Sequence, residues 1–475
     1  MSRRLGSAVL VATVTLALAA CTDVVGGKAV SVFDNPFNVG GLPVTDGPSG
    51  LRSTAPQASR EADNSDGGQD DNIAVQSISD IEEFWQQAYR DPLPGTFEPV
   101  KSLVSWDANG RNYQFCGEDT FATVNAGFCP LDDTIGWDRG ELLPGLRNGF
   151  GDMAITMVLA HEYGHSIQRQ ANLITDQTPI LVAEQQADCL AGVYMRWVAE
   201  DNSPRFSLST GAGLNNLLAA MISFRDPLLS IYDADMGVDE HGSAFERISA
   251  FQFGFTDGIQ ACVSVDEAEV AQRRGDLPVA LQVDQTGEWP VTEESVKGML
   301  EALNIVFKPA QAPQLTFDAA ACPDARPNPP VSYCPSTNTI VVDLPALQEM
   351  GTQREGDDAL SFGDNTAYSV LTSRFMLALQ QQHGGLALDS AEAALRTACL
   401  TGVATTKLSN RITIADGNTI ALTAGDVDEA VSGMLTNGLA ASDVNGETVP
   451  SGFSRIDAFR TGVLGDQDRC LKRYP

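Results

Sequence analysis

Hydrophobic and polar residues follow helical spacing over much of this chain, most clearly between residues 151 and 193. The pattern predicts a first helix from near Gly151-Asp152 to about Gln170, with Asp152 as its N-terminal cap. Its buried face holds Met153, Ile155, Thr156, Val158 and Leu159. A second helix is predicted over residues 181–193. Its apolar positions are Leu181, Val182, Ala183, Ala187, Leu190 and Ala191. Little of either helix is left polar, so polar residues within them need a specific partner.

Short runs rich in β-branched residues predict strands around Thr134 to Trp137 and Thr339 to Val342. Because the strands are few beside the helices, we expect an α+β fold that is mostly helical, with a small sheet in each half.

The two halves of the chain carry the same landmarks in the same order, at offsets of 205 to 210 residues. Four cysteines of the first half recur in the second, and a Ser-x-Phe-x-Arg motif ends at Arg247 and again at Arg455. Self-similarity at a fixed period predicts a tandem duplication. We therefore expect one domain over residues 74–272 and a degenerate repeat of it over residues 273–475.

The N-terminus resembles an export signal over residues 1–20. Arg3 and Arg4 precede an apolar run from Ala8 to Ala20 that is too short to span a bilayer. Leu18-Ala-Ala-Cys21 resembles the lipobox of bacterial lipoproteins, which implies that Cys21 becomes the lipidated first residue. An ordinary secreted protein, cleaved near Ala20, is the alternative. We expect a chain anchored to the outer face of the bacterial cell membrane through Cys21 only.

Residues 21–73 are dominated by Gly, Pro, Ser, Asp and Asn and lack hydrophobic periodicity. Such a composition is typical of a disordered tether. The whole chain has 62 acidic against 30 basic residues, a formal charge of −32. Nucleic acids and anionic lipid surfaces both bind basic proteins, so this charge excludes them as expected partners.

Nine cysteines are present, and setting Cys21 aside leaves an even number in an exported chain, where disulfides are expected. If both halves share a fold, each closes its bonds in the same way. The predicted pairs are Cys116–Cys129, Cys189–Cys262, Cys322–Cys334 and Cys399–Cys470.

The strongest chemical signal is His161-Glu162-x-x-His165, in a chain with only four histidines. Residues i and i+4 share one face of a helix, so both imidazoles can bind one Zn²⁺ while Glu162 reaches the metal-bound water. Glu184, on the second helix, is the predicted third ligand. Asp188, one turn later, is placed to accept a hydrogen bond from the far nitrogen of a ligating histidine. Three protein ligands leave a position for water, as catalytic zinc sites do.

The second half lacks these residues. The positions that correspond to the first-half ligands and to Glu162 and Asp188 are Ser373, Arg374, Leu377, Ala394 and Ala398. Its one histidine, His383, lies at a polar helix end or turn and is not expected to bind metal. We therefore expect one Zn²⁺ per chain, in the first domain only, and a catalytically inactive second half.

Taken together, His161-Glu-Tyr-Gly-His165, Glu184-Gln-Gln-Ala-Asp188-Cys-Leu-Ala-Gly and His241-Gly-Ser…Arg247 resemble the bacterial neutral zinc metallopeptidases. That family has a gluzincin-like core, and the resemblance spans about residues 78–265. It implies hydrolysis of a peptide or protein substrate by a zinc-activated water, with Glu162 as general base. Ser166 departs from the pattern, because many members carry a further histidine there.

By analogy with gluzincins, a downstream group stabilises the oxyanion of the transition state, and His241 and Arg247 are the candidates. A loop histidine with no catalytic role is the alternative for His241. The persistence of Arg455 in the second half favours a structural role for Arg247.

Two functions remain open from the sequence. The first is an active, surface-anchored zinc peptidase whose second half binds a protein partner or regulates the first. The other is a zinc-binding, non-catalytic lipoprotein that acts as a structural or protein-interaction module. Glu162 beside a three-ligand site favours the first, because a structural site needs neither a general base nor an open position.

Overall fold

The computed structural model of the protein describes residues 35–110, 113–232, 241–283, 285–319, 321–353 and 360–475. The predicted signal peptide and Cys21 lie outside these residues. The fold is mixed α and β, with helices as the main elements and small sheets, and residues 33–475 form one unit. None of the helices in the described part of the chain has the length and apolarity needed to cross a bilayer.

The first half contains eight described helices and the strands β1 to β9. The helices are α1 Gln69–Ala88, α2 Leu142–Phe150, α3 Asp152–Gln170, α4 Ile180–Ala199, α5 Ala212–Ser223, α6 Ala244–Asp257, α7 Ile259–Val263 and α8 Glu267–Arg274. The strands are β1 Asn38–Val39, β2 Leu42–Pro43, β3 Gly50–Leu51, β4 Ser102–Trp106, β5 Gln114–Phe115, β6 Glu118–Asp119, β7 Ala126–Cys129, β8 Thr134–Asp138 and β9 Phe206–Ser207. The two predicted helices are confirmed as α3 and α4.

The second half is built from similar parts. Its helices are α9 Glu293–Phe307, α10 Leu344–Met350, α11 Asp364–His383, α12 Ala391–Leu408, α13 Asp426–Thr436, α14 Gly452–Val463 and α15 Gln467–Arg473. Its strands are β10 Gln314–Thr316, β11 Val331–Cys334, β12 Thr339–Val342, β13 Ile412–Thr413 and β14 Thr419–Ile420.

Each half has a three-stranded sheet of the same design. In the first half β8 is central, parallel to β4 and antiparallel to β7. In the second half β12 is central, parallel to β10 and antiparallel to β11. The predicted strands near residues 134 and 339 are the two central strands. The sheets thus place β7 and β11 at corresponding edges.

All four predicted disulfides are present: Cys116–Cys129, Cys189–Cys262, Cys322–Cys334 and Cys399–Cys470. Two of them close short loops that lead into β7 and β11. The other two join α4 to α7 and α12 to α15.

The N-terminal end of α3 differs from the prediction. Gly151, with φ of 88°, is the N-cap, and Asp152 is the first helical residue. The Asp152 carboxylate instead accepts a hydrogen bond from the backbone N–H of Leu51 at 3.1 Å. The acid therefore holds β3 against the start of α3.

The prediction of a disordered tether over residues 21–73 is wrong for its described part. β3 pairs with β9, and helix α1 begins at Gln69 within the predicted tether. Asp71, one of the acids that suggested disorder, is buried and accepts hydrogen bonds from Ser105 Oγ at 2.7 Å and Trp137 Nε1 at 2.8 Å. Composition misled the prediction at Asp71, because this acid serves as an internal acceptor and not as a solvated charge.

Polar and aromatic contacts join the two halves within one unit, where the sequence predicted two domains. Gln252 on α6 donates a hydrogen bond to the carbonyl of Phe453 on α14 at 3.0 Å. The Phe255 and Phe453 rings lie 5.1 Å apart. The start of α6 is also held from the second half, since Asp428 on α13 accepts hydrogen bonds from the backbone N–H groups of Ala244 and Phe245 at 3.1 and 3.0 Å.

Helices α4 and α6 approach closely at two glycines. A Cβ placed on Gly254 would overlap the carbonyl oxygen of Cys189, and one on Gly192 would overlap that of Phe251. The same contact recurs between α12 and α14, where Gly462 faces Cys399. Only a residue without a side chain permits this helix spacing.

The substitution Gly254→Ala should lower the free energy of unfolding by about 1–3 kcal/mol, because the added methyl group must push α4 and α6 apart. Urea unfolding followed by circular dichroism measures the change. Gly145→Ala is the matched control: Gly145 is an exposed residue of helix α2 with open space around it, and alanine there should raise stability by up to about 1 kcal/mol. Equal effects of the two substitutions would contradict the close approach.

Candidate metal centre

The predicted site residues meet where α3 and α4 run side by side. His161 contacts Glu184 and Asp188, and Gln168 contacts Ala183. Because the numbers rise on one helix as they fall on the other, the helices are antiparallel. Gly164 permits the approach, since a Cβ there would lie 3.0 Å from the Cα of Ala187.

His161, His165 and Glu184 bring one ligand atom each into a single cluster, all within 4.8 Å of one another. His161 Nε2 lies 3.0 Å from Glu184 Oε2, and His165 Nε2 lies 3.4 Å from Glu184 Oε1. Ligands held at about 2.0–2.2 Å from a tetrahedral Zn²⁺ are separated by roughly 3.3–3.6 Å. The two imidazole nitrogens and the carboxylate are therefore the ligand types of a zinc site, and their separations are close to those of such a site.

A chain of buried hydrogen bonds lies behind His161. Its Nδ1 is 2.8 Å from Asp188 Oδ1, and the Asp188 side chain is fully buried. Arg247 on α6 binds the same carboxylate through Nε and Nη2, both at 2.9 Å. The far nitrogen of a histidine ligand thus has the carboxylate partner that the sequence predicted, and that partner has a cation of its own.

The far nitrogen of His165 has a partner that the sequence analysis missed. His165 Nδ1 is 3.0 Å from Gln168 Oε1, and Gln168 Nε2 in turn donates to the carbonyl of Ala183 at 2.6 Å. The three-residue spacing on one helix face could have indicated this contact. Both imidazoles are therefore oriented from behind.

The buried charges act strongly on one another. Burial would raise the pKa of Asp188, but Arg247 and His161 outweigh it and lower this pKa to about 2. Burial would lower the pKa of His161, whereas Asp188 and Glu184 raise it to about 10. Burial would also raise the pKa of Glu184, but the two histidines lower it well below its usual range. Glu184 is thus anionic, as a carboxylate ligand of Zn²⁺ has to be.

Glu162 lies beside the cluster and is held by the edge strand of the sheet. The backbone N–H of Phe128 on β7 donates to Glu162 Oε2 at 3.0 Å. Burial raises the pKa of the Glu162 carboxyl, while His161 and His165 act in the opposite direction. A carboxylate of raised pKa is a better proton acceptor than an ordinary one.

His241 reaches the cluster from the loop before α6. Its Nε2 lies 3.7 Å from Glu184 Oε2, and its side chain is 42 % exposed. Asp226 holds the other side: Oδ1 is 3.2 Å from His241 Nδ1, and Oδ2 accepts from the backbone N–H groups of His241 and Gly242 at 2.8 and 2.7 Å. The hydrogen bond with Asp226 raises the pKa of His241. Asp226 is a second residue that the sequence analysis missed.

The assignment of Arg247 as an oxyanion donor is not supported by its contacts. The side chain is buried, with Nε and Nη2 on Asp188 and Nη1 donating to the carbonyl of Phe224 at 2.7 Å. All three guanidinium nitrogens already donate hydrogen bonds within the protein, so none is available to a substrate. The contacts of Arg247 instead connect it to His161 through Asp188.

The corresponding region of the second half has different chemistry. Arg374, at the position of Glu162, is fully buried and donates from Nε to the carbonyl of Val331 at 2.8 Å and from Nη1 to Ser442 Oγ at 2.9 Å. His383 is exposed at the end of α11. Within the described residues, the second half has no histidine-containing metal cluster.

Packed helices that present His-Glu-x-x-His and a downstream glutamate are typical of zinc metallopeptidases. The chain belongs to the family described as "Putative neutral zinc metallopeptidase", whose model matches residues 16–265. This membership implies zinc as the cofactor.

The chain is similar to the uncharacterized protein Rv2575 of Mycobacterium tuberculosis and to the uncharacterized protein Mb2605 of Mycobacterium bovis. Each is 28% identical over 185 residues, which cover 35% of this chain and 61% of the relative. The chain thus spans less than two thirds of the length of these relatives. No solved structure matches the chain.

The substitution Asp188→Asn should weaken Zn²⁺ binding by about 10- to 100-fold, because an amide orients His161 less well and leaves Arg247 without a counter-charge. Competition with a chromophoric chelator measures the affinity, in protein whose helicity matches the wild type. Asp176→Asn, at an exposed acid before α4, is the control and should bind zinc normally. If Asp188→Asn also retained full affinity, the orienting role of Asp188 would be wrong.

Proposed function

We propose that the protein is a zinc-dependent peptidase, in which His161, His165 and Glu184 hold one Zn²⁺ in the first half of the chain. The observation that carries the proposal is the convergence of these three ligand atoms beside Glu162. A structural site would be closed by a fourth protein ligand and would have no use for an adjacent acid. Bound there, Zn²⁺ would activate a water and polarise the scissile carbonyl.

Glu162 has the position and the chemistry of a general base. Its carboxylate takes a proton from the attacking water and delivers it to the amine of the leaving peptide. The N–H of Phe128 fixes the carboxylate relative to the ligands on the same helix. Proton transfer then needs no large movement of the side chain.

His241 is the group we assign to the oxyanion. Asp226 holds its Nδ1 and its backbone N–H, which directs Nε2 towards Glu184 and the ligand cluster. A donor fixed in this way can stabilise negative charge that develops on the carbonyl oxygen of the substrate. The alternative of a loop histidine without a role gives no reason for its orientation by Asp226.

The second half is, in this proposal, a degenerate and catalytically inactive repeat of the first. The common sheet order, the matching disulfides and the same glycine contact between helices support a duplication. The second half also stabilises the first, because Asp428 accepts hydrogen bonds from the first turn of α6, just after His241. Binding of a protein partner by this half is a further part of the proposal.

We also propose export of the protein and attachment to the outer face of the cell membrane through a lipid on Cys21. The lipobox-like residues Leu18 to Cys21 support this. Metabolic labelling with a radioactive fatty acid tests it, with Cys21→Ser as the variant that should lose the label.

The substitution Glu162→Gln should lower kcat for a peptide substrate by about 10²- to 10⁴-fold, because the amide cannot accept the proton of the water. Zinc should remain stoichiometric, since Glu162 is not a ligand. Casein or peptide-library cleavage and metal analysis are the two measurements. Glu118→Gln, on the exposed hairpin strand β6, is the control and should leave both unchanged. Zinc without cleavage by wild-type protein would favour a non-catalytic zinc-binding lipoprotein.

The substitution His241→Ala should lower kcat by about 10²- to 10³-fold through loss of an oxyanion donor, with little change in zinc content. Steady-state kinetics and metal analysis of one preparation separate the two effects. His383→Ala removes the exposed histidine of the second half and should change neither. Loss of zinc from the His241 variant would instead make His241 a ligand.

A further inference from the structure

A second group of carboxylates shares no residue with the His161–His165–Glu184 cluster and lies near the start of two helices in the second half. Glu288 precedes α9, Asp364 is the first residue of α11, and Glu429 lies in the first turn of α13. One oxygen from each comes within 4.8 Å of the others. Three separate segments of the chain thus place acidic oxygens around one point.

The spacing suits a hard divalent cation. Ca²⁺ binds carboxylate oxygens at about 2.3–2.6 Å, so two ligands on opposite sides of the ion are about 4.8 Å apart. A site made only of oxygen atoms selects Ca²⁺ or Mg²⁺ over zinc. The zinc centre, with two imidazoles, has a different preference.

Each carboxylate is held by a backbone N–H through one of its oxygens. Trp289 donates to Asp364 Oδ2 at 2.9 Å, Asn365 donates to Glu429 Oε2 at 2.8 Å, and Asp364 donates to Glu288 Oε2 at 3.3 Å. These bonds fix the three side chains and account for one oxygen of each. Backbone hydrogen bonds therefore account for only half of the carboxylate oxygens of Glu288, Asp364 and Glu429.

The remaining oxygens are the unusual feature. Asp364 is 5 % exposed, and its Oδ1 is buried without a hydrogen-bond partner. A Cβ on Gly363 would overlap Glu429 Oε1 and lie 2.8 Å from Glu288 Oε1. The absence of a side chain at Gly363 thus leaves room for the two glutamate oxygens. Together with the unpaired Asp364 Oδ1, these oxygens could be satisfied by a bound cation.

Within the described residues, no salt bridge joins Lys or Arg to Glu288, Asp364 or Glu429. The two arginines that line the same cavity, Arg225 and Arg274, contact Asp428 and Glu246. Asp426, three residues before Glu429, adds a further buried acid. Burial, with repulsion from neighbouring acids, raises the pKa of Glu429 to about 10 and that of Asp364 to about 7. The protein alone therefore does not stabilise these groups as anions.

We propose that Glu288, Asp364 and Glu429 bind one Ca²⁺, at a site distinct from the zinc centre. Glu288 and Glu429 also line a cavity of about 150 Å³, which gives the ion and its water ligands a route to the site. Ca²⁺ takes six to eight oxygens, so water completes the coordination. The bound ion ties α11 and α13 to the segment before α9.

The position of the ion links it to the zinc-bearing half. Asp428, adjacent to Glu429, accepts the two hydrogen bonds from the start of α6. Fixing α13 with Ca²⁺ therefore also fixes the support for the helix that carries Arg247. The proposal does not depend on peptidase activity, because its readouts are binding and stability.

The test uses zinc-loaded protein from which Ca²⁺ has been removed by gel filtration in calcium-free buffer. Tb³⁺ replaces Ca²⁺ as the probe, and Trp289, next to Glu288 in sequence, should sensitise its emission. We expect Ca²⁺ to displace Tb³⁺ and to raise the thermal midpoint. Glu429→Gln, which keeps the shape and the hydrogen bond with Asn365, should weaken both effects by at least about ten-fold.

Glu294→Gln changes an exposed acid close in sequence to Glu288 and should retain wild-type Ca²⁺ affinity. Glu288→Gln is a second variant at a half-buried position, in case Glu429→Gln folds poorly, and should show the same loss. Zinc content, measured on each sample, should stay constant. Absence of Ca²⁺ binding at millimolar concentration would overturn the proposal. So would unchanged Ca²⁺ binding in both variants.

Discussion

The first half depends on one buried network of charged side chains, which runs from His161 through Asp188 to Arg247. Each residue comes from a different helix, α3, α4 and α6, and each contact is 2.8 or 2.9 Å. Burial of ions is costly unless each charge is paired, and removal of one partner leaves the other uncompensated. These contacts therefore specify how three helices pack, and they also orient the imidazole of His161. Stability and chemistry here rest on the same atoms.

The corresponding positions of the second half lack this charged network. Ala398 stands at the position of Asp188, yet Arg455 remains buried at the position of Arg247. Its guanidinium donates instead to the carbonyls of Met434, Leu435 and Val449, at 2.6 to 2.9 Å. Backbone acceptors thus satisfy this arginine where no carboxylate is present. Because an arginine is buried at this position in both halves, it is no guide to catalysis.

The parts of the site that could be predicted from the sequence are those whose residues are related by helical spacing. His161 and His165 share a helix face, and Glu184 with Asp188 repeat that spacing on the next helix, so the four could be placed together. The internal repeat likewise gave the disulfide pairs, because each half had to close in the same way. Asp226 could not be found, since it reaches His241 from a loop and no periodicity relates the two. The acids near residue 71 were misread because composition does not reveal whether a carboxylate meets water or buried donors.

The four disulfides have a consequence for how the protein is made. Every bond joins two cysteines of the same half, and none crosses the interface between the halves. The disulfides of the first half can therefore form before the second half has folded, because none of these bonds needs a cysteine of the other half. A protease cut in the segment between α8 and α9 would leave two internally bonded pieces held together only by noncovalent contacts. The second half could then dissociate from the first without reduction of any disulfide.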